Sequence, residues 1–136
     1  MNSREYLSQI RKLKTRIDIL AREIEELDTI GVGGIDYAKD RVQVSPSSGA
    51  AFERNVDMIA DKEQHLKELL AELVETRERI VRQITAMEDD RYMNVLYKHY
   101  VELKSIWQIA YEMHYSYNHI IKLHAQALDA FKEDVE

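Results

Sequence analysis

Between Ser116 and Ala125 the chain reads SYNHIIKLHA, and its polar groups are of the kinds that read nucleic-acid edges. An asparagine amide can pair bidentately with adenine, a lysine can reach guanine or a phosphate, and a tyrosine can bond a phosphate or touch a thymine methyl. Wound as a helix, the stretch puts Ser116, Tyr117, Asn118, Ile121, Lys122 and Ala125 on one face, with His119 beside them. A helix beginning at Ser116 would add free N–H groups able to hold a phosphate. The same residues also suit an ordinary solvent-facing helix, since DNA readers usually cluster arginine and lysine and this face has one lysine.

Other chemistries lack their spacing. Four of the five histidines, His99, His114, His119 and His124, lie in the last third, but none stands four residues from a carboxylate in the manner of a helical zinc site. No metal site is expected. GVGG at Gly31 to Gly34 suggests a phosphate loop, yet it lacks the Lys-Ser/Thr that completes one and no strand precedes it. There is no nucleophile elbow, no placed acid pair and no cofactor fingerprint, so neither an enzyme nor a cofactor is expected. Tyr92, Tyr97, Tyr100, Trp107, Tyr111 and Tyr115 read as core and rim of a small helical module.

The elements that must hold the polar face are short helices. Ser105 is a candidate cap for a helix through about Met113, and Ser116 for the last, from about Tyr117 to Phe131. If Ala110 is the small residue where the two cross closely, Trp107, Ile109, Ala110, Met113, Tyr115, Ile120 and Leu123 form their shared core. Asp89 or Asp90 caps a preceding helix, from about Arg91 to Tyr100, with Tyr92, Val95, Leu96, His99 and Tyr100 inward. VELK connects it to the next.

Upstream, Tyr6, Ile10, Leu13, Ile17, Leu20, Ile24 and Leu27 alternate spacings of four and three, the stripe of a helix packed along its length from about Ser3 to Asp28. The glycines of GVGG are expected to end it, and residues 31–51, containing Pro46, to form a loop with a short extended piece at DRVQVS. A second helix, from about Phe52 to Met87, carries Phe52, Val56, Ile59, Leu66, Leu70, Leu73, Ile80, Ile84 and Met87, with Glu63 and Arg77 in two apolar slots. It is about ten residues longer than the first, so part of it needs another partner. Homo-oligomerisation is expected through Ile10, Leu13, Ile17, Leu20, Ile24, Leu27, Leu66, Leu70, Leu73 and Ile80.

The 136 residues are 45% hydrophobic and 32% charged, with four glycines and one proline, which favours an all-α chain with one sizeable core. Absence of cysteine excludes disulfides and thiolate zinc sites and fits a reducing compartment. The N-terminus alternates apolar and charged residues, with no signal-peptide core or membrane span, so a soluble cytoplasmic protein is expected. The net charge of −6 repels a phosphate backbone. From Glu88 onward five basic residues face nine acidic ones, a net of −4, so DNA binding would need several heads acting together.

The stretch DDRYMNVLYKHYVELKSIWQIAYEMHYSYNHIIKLHAQALDAF resembles the C-terminal module of phage and prophage transcriptional regulators of the ArpU/RinA type. The shared frame is Arg91-Tyr92, Leu96, Tyr100, Trp107, Ile109-Ala110, Met113, Tyr115-Ser116, His124 and Ala127-Leu128, and DRVQVSPSSG with the charged helix after it is similar to the family's N-terminal part. The resemblance implies a helix-turn-helix like that of sigma factor region 4, DNA contacts from Ser116, Tyr117, Asn118 and Lys122, and control of late or host-linked genes. His114 stands where the family's turn has glycine, so it should adopt a left-handed conformation, and the recognition helix lacks the expected arginine.

The combined expectation is an all-α chain: residues 1–87 as an antiparallel, coiled-coil-like helical hairpin that oligomerises, and residues 88–136 as a three-helix helix-turn-helix module. Its expected partners are double-stranded DNA, RNA polymerase and further copies in a dimer or tetramer, with no membrane. The candidate DNA-contacting residues are Ser116, Tyr117, Asn118, His119, Ile121 and Lys122. The alternative is a module that docks on RNA polymerase or another regulator without touching DNA.

Overall fold

A computed structural model describes the backbone of residues 1–42 and 46–135 and the side chains of residues 1–29 and 52–131. Among the described residues every regular element is helical, and no helix is long and apolar enough to cross a membrane. In chain order these are α1 (Ser3–Leu7), α2 (Gln9–Val42), α3 (Pro46–Thr85), α4 (Asp90–Leu96), a π-helical turn (Tyr97–Val101), α5 (Ile106–Met113) and α6 (Tyr117–Val135). The contacts divide them into two compact units, residues 15–71 and residues 1–14 with 72–136. The expected boundary between residues 87 and 88 therefore falls inside the second of these.

Caps set the ends of the short elements. Asn2 accepts the Glu5 amide at the start of α1, and Asp89 accepts the Arg91 amide at the start of α4. The first long helix does not stop at Gly31; α2 continues through GVGG to Val42. Glycine permits the positive-φ stop that the sequence suggested without requiring it; each added residue continues the helical hydrogen bonding, and each glycine costs about 1 kcal/mol relative to alanine. Pro46 opens α3, a position whose missing N–H has no helical acceptor to lose. The expected loop 31–51 thus shrinks from both sides; the first half of DRVQVS, residues 40–42, is helical, and its second half, residues 43–45, lies outside the described residues.

Within residues 15–71, α2 and α3 run in opposite directions, with Arg16, Leu20 and Glu23 beside Leu69 and His65, and Glu23, Glu26 and Leu27 beside Lys62 and Met58. Lys62 Nζ reaches Glu23 Oε2 at 2.6 Å. All seven positions of the first stripe, Tyr6 through Leu27, are buried or half-buried, and their charged neighbours are largely exposed. The stripe on α3 differs from the expected one. Ile59, Leu66, Leu73, Ile80 and Met87 are covered, but the alternate slots belong to Lys62, Leu69 and Thr76 in place of Glu63, Leu70 and Arg77. Leu69 is 7% exposed and Leu70 44%. Where two leucines are adjacent, apolar type alone cannot say which one faces the partner helix.

In the other unit, Leu7, Ile10, Ile80, Ile84, Met87, Leu96, Tyr100, Val101, Ala127 and Phe131 form the main core. Ile10 and Ile80, expected to meet another copy, are fully enclosed by this chain, and Leu13 is nearly so. Tyr6 donates its hydroxyl to Gln83 Oε1 at 2.5 Å and receives Arg79 Nε at 3.3 Å, fixing α1 to the last turns of α3. α4, the π-helical turn and α6 pack around this core, and α5 closes a second, smaller one.

Candidate nucleic-acid interface

α5 begins where Ser105 Oγ accepts the Gln108 amide at 3.2 Å, and α6 where Ser116 Oγ accepts the His119 amide at 3.1 Å. Between them the turn is closed by the backbone. The Tyr115 amide donates to the Ala110 carbonyl at 3.0 Å and the His114 amide to the Tyr111 carbonyl at 3.4 Å, the paired bonds of a Schellman ending. Such an ending needs a left-handed residue, and His114 supplies it with φ 59° and ψ 40°. A side chain there costs about 1 kcal/mol that glycine would not.

The core under this turn contains Val95, Ile109, Ala110, Ile120 and Leu123, flanked by Tyr92, Ile106 and Met113. Five of the seven expected core residues lie in it or against it. Trp107 and Tyr115 do not: Trp107 is 70% exposed and Tyr115 is also on the surface. The inner face of α5 is Ile106, Ile109, Ala110 and Met113, spaced three, four and seven residues from its start, which turns Trp107 and Tyr111 outward together. That spacing was legible in the sequence once Ile106 is taken as the first helical residue. Trp107 instead lies against Tyr117 of α6, ring centroids 4.4 Å apart, and Tyr115 lies against His119 at the same separation.

Of the residues proposed to contact DNA, Ser116, Asn118, His119, Ile121 and Lys122 are exposed and Tyr117 is half-buried. Ser116 Oγ is already engaged as the cap. The positive charges around them are not free. Arg91 is bound to Asp89 at 3.1 Å, Lys98 to Glu112 at 2.7 Å, and Lys104 to Glu112 at 2.9 Å and Glu102 at 3.5 Å. Hydrogen bonds from Lys98 and Lys104 hold the Glu112 carboxyl below its usual range, and the Arg91 guanidinium does the same for Asp89. Among the described residues of this module, Lys122 is the cation with no carboxylate partner.

Behind the face sits a polar cluster that the sequence did not reveal. The Tyr100 hydroxyl and His124 Nε2 are 2.7 Å apart, His99 donates Nδ1–H to the Lys104 carbonyl at 2.9 Å, and the His99 and His124 rings meet edge to face at 5.1 Å. Burial, then the neighbouring His99 and Arg4, lower the His124 pKa to about 4, and burial also lowers that of His99. Both imidazoles are therefore neutral at pH 7, as the interior requires. The cluster joins the π-helical turn to α6. In that turn the Glu102 amide reaches back five residues to the Tyr97 carbonyl at 3.0 Å, and the exit places Leu103 at φ 58°.

Compared with family models, curated proteins and solved structures, the chain matches none.

Proposed function

We propose that this chain is a DNA-binding transcriptional regulator of a phage or prophage, late-gene in type, acting in the cytoplasm of the bacterial host. In this reading a hairpin of long helices carries a three-helix head, α4 to α6, in which α5, the His114 turn and α6 act as a helix-turn-helix. α6 enters the major groove; Asn118 and Lys122 read base edges, and Ser116, Tyr117, His119 and Ile121 complete the contact. The observation that carries the reading is the His114 turn: two capped helices joined by a left-handed residue over one small core, with the second helix's polar face open to solvent. Each head has little unpaired positive charge, so binding requires copies acting together. Ile10 and Ile80 being enclosed, the apolar residues left for another copy within residues 15–71 include Phe52, Val56 and Leu70.

The test is selection of duplexes from a random-sequence pool, followed by gel shift at low and physiological salt. The wild type should retard the selected duplex, and the Tyr117→Ala/Asn118→Ala/Lys122→Ala variant should not. Equal retardation by both sinks the reading. One observation favours a second reading, a module that docks on RNA polymerase or another regulator without touching DNA: three of the head's cations are already neutralised. Failure to enrich any duplex, together with capture of purified polymerase, would favour it.

A further inference from the structure

The head presents aromatic rings to water that its cores do not use. Trp107 and Tyr111, 70% and 83% exposed, stand one turn apart on α5, and Trp107 lies against Tyr117 at the start of α6. Exposure of this size in the largest aromatic side chains is uncommon without a partner. The charges around them identify its chemistry. Although residues 88–136 carry a net −4, Glu112 is the sole carboxylate between residues 105 and 128, and two lysines hold it. Glu102 also pairs with Lys104, so this cluster of two lysines and two carboxylates is neutral as a whole; the aromatic residues of α5 thus offer N–H and O–H donors beside no unpaired carboxylate in an otherwise acidic module.

We propose that the DNA-contacting surface extends from α6 onto α5, where the Trp107 indole N–H and the Tyr111 hydroxyl hold backbone phosphates as neutral donors. The inference rests on the DNA-binding reading above and adds to it how an acidic head does without an arginine on α6. Neutral donors bond phosphate oxygens as well as position the helix, but they release no condensed counterion. Affinity then falls only shallowly with salt, with a log–log slope of about −1 for each bound head, the contribution of Lys122.

The chain has one tryptophan, so its emission reports this position alone. Titrating the full-length wild type with the selected duplex should shift that emission and shield it from acrylamide. Trp107→Phe and Tyr111→Phe, which each keep an aromatic ring and remove the donor, should each weaken binding about tenfold with the salt slope unchanged, whereas Lys122→Ala should bring the slope towards zero. Wild-type affinity in both phenylalanine variants, or unchanged emission on a duplex that binds, overturns the inference and leaves the α6 reading intact. Absence of any duplex binding overturns both. The wild-type titration needs no substituted protein, so a folding defect in a variant does not obscure the outcome.

Discussion

At the scale of single residues, two side chains carry consequences that can be measured. His114 occupies a left-handed position whose backbone bonds close the turn between α5 and α6. His114→Gly should raise stability by about 0.5–1 kcal/mol, because the strain of a Cβ at that φ exceeds the extra entropy of glycine in the unfolded chain. His114→Ala should give no such gain. Urea denaturation of the three proteins checks this, and a stabilised alanine variant would contradict the backbone argument. His124 makes stability depend on pH. Its pKa is about 4 in the fold and near 6.5 in the unfolded chain, so the unfolded state takes up a proton first. Stability associated with it is present above pH 6.5, falls as pH drops towards 4, and changes no further below that, a loss of about 3 kcal/mol. Arg4 and His99 add to the penalty from the positive side, and Tyr100 is uncharged throughout this range. His124→Gln should flatten this part of the pH profile relative to wild type; parallel profiles would refute the assignment.

At the scale of elements, the register of α3 is the feature open to test. Leu69 faces α2 and Leu70 faces water, although the two are chemically identical neighbours. Leu69→Ala should cost about 2–3 kcal/mol and Leu70→Ala under 1 kcal/mol in stability. Equal losses would mean that the stripe runs through Leu70 after all. Caps at this scale are cheaper to remove: Ser116→Ala should cost about 1 kcal/mol, because the first-turn amide of His119 loses its acceptor. The heptad arithmetic was right at all seven positions of the first stripe, Tyr6 through Leu27, although it passed over Leu7, which is also buried. On α3 it failed at Phe52 and Val56, which are exposed, and at the levels of Lys62, Leu69 and Thr76, since two of those slots are polar and the third has an apolar neighbour. Lys62 is kept there by Glu23 across the pair, a contact that no single-helix pattern contains.

At the scale of the whole molecule, charge and copy number govern the proposed activity. Sedimentation at micromolar concentration should show a dimer or tetramer, and Phe52→Ser/Val56→Ser should move it towards monomer; a wild-type monomer under those conditions contradicts the oligomer. The sequence by itself determined the helical class and the caps at Ser105 and Ser116, and it narrowed the cap of α4 to Asp89 or Asp90, because caps and apolar spacing are local properties of a few neighbouring residues; the left-handed His114 was what the family resemblance implied. It also singled out the outward residues of α6. Only the tertiary structure decided which of two adjacent side chains is covered, that Ile10 and Ile80 are enclosed by their own chain, and that Lys98 and Lys104 are paired with Glu112. Those outcomes depend on groups distant in sequence arriving at one place. A charge or a ring has the same appearance in a sequence whether its partner is a neighbouring helix or solvent.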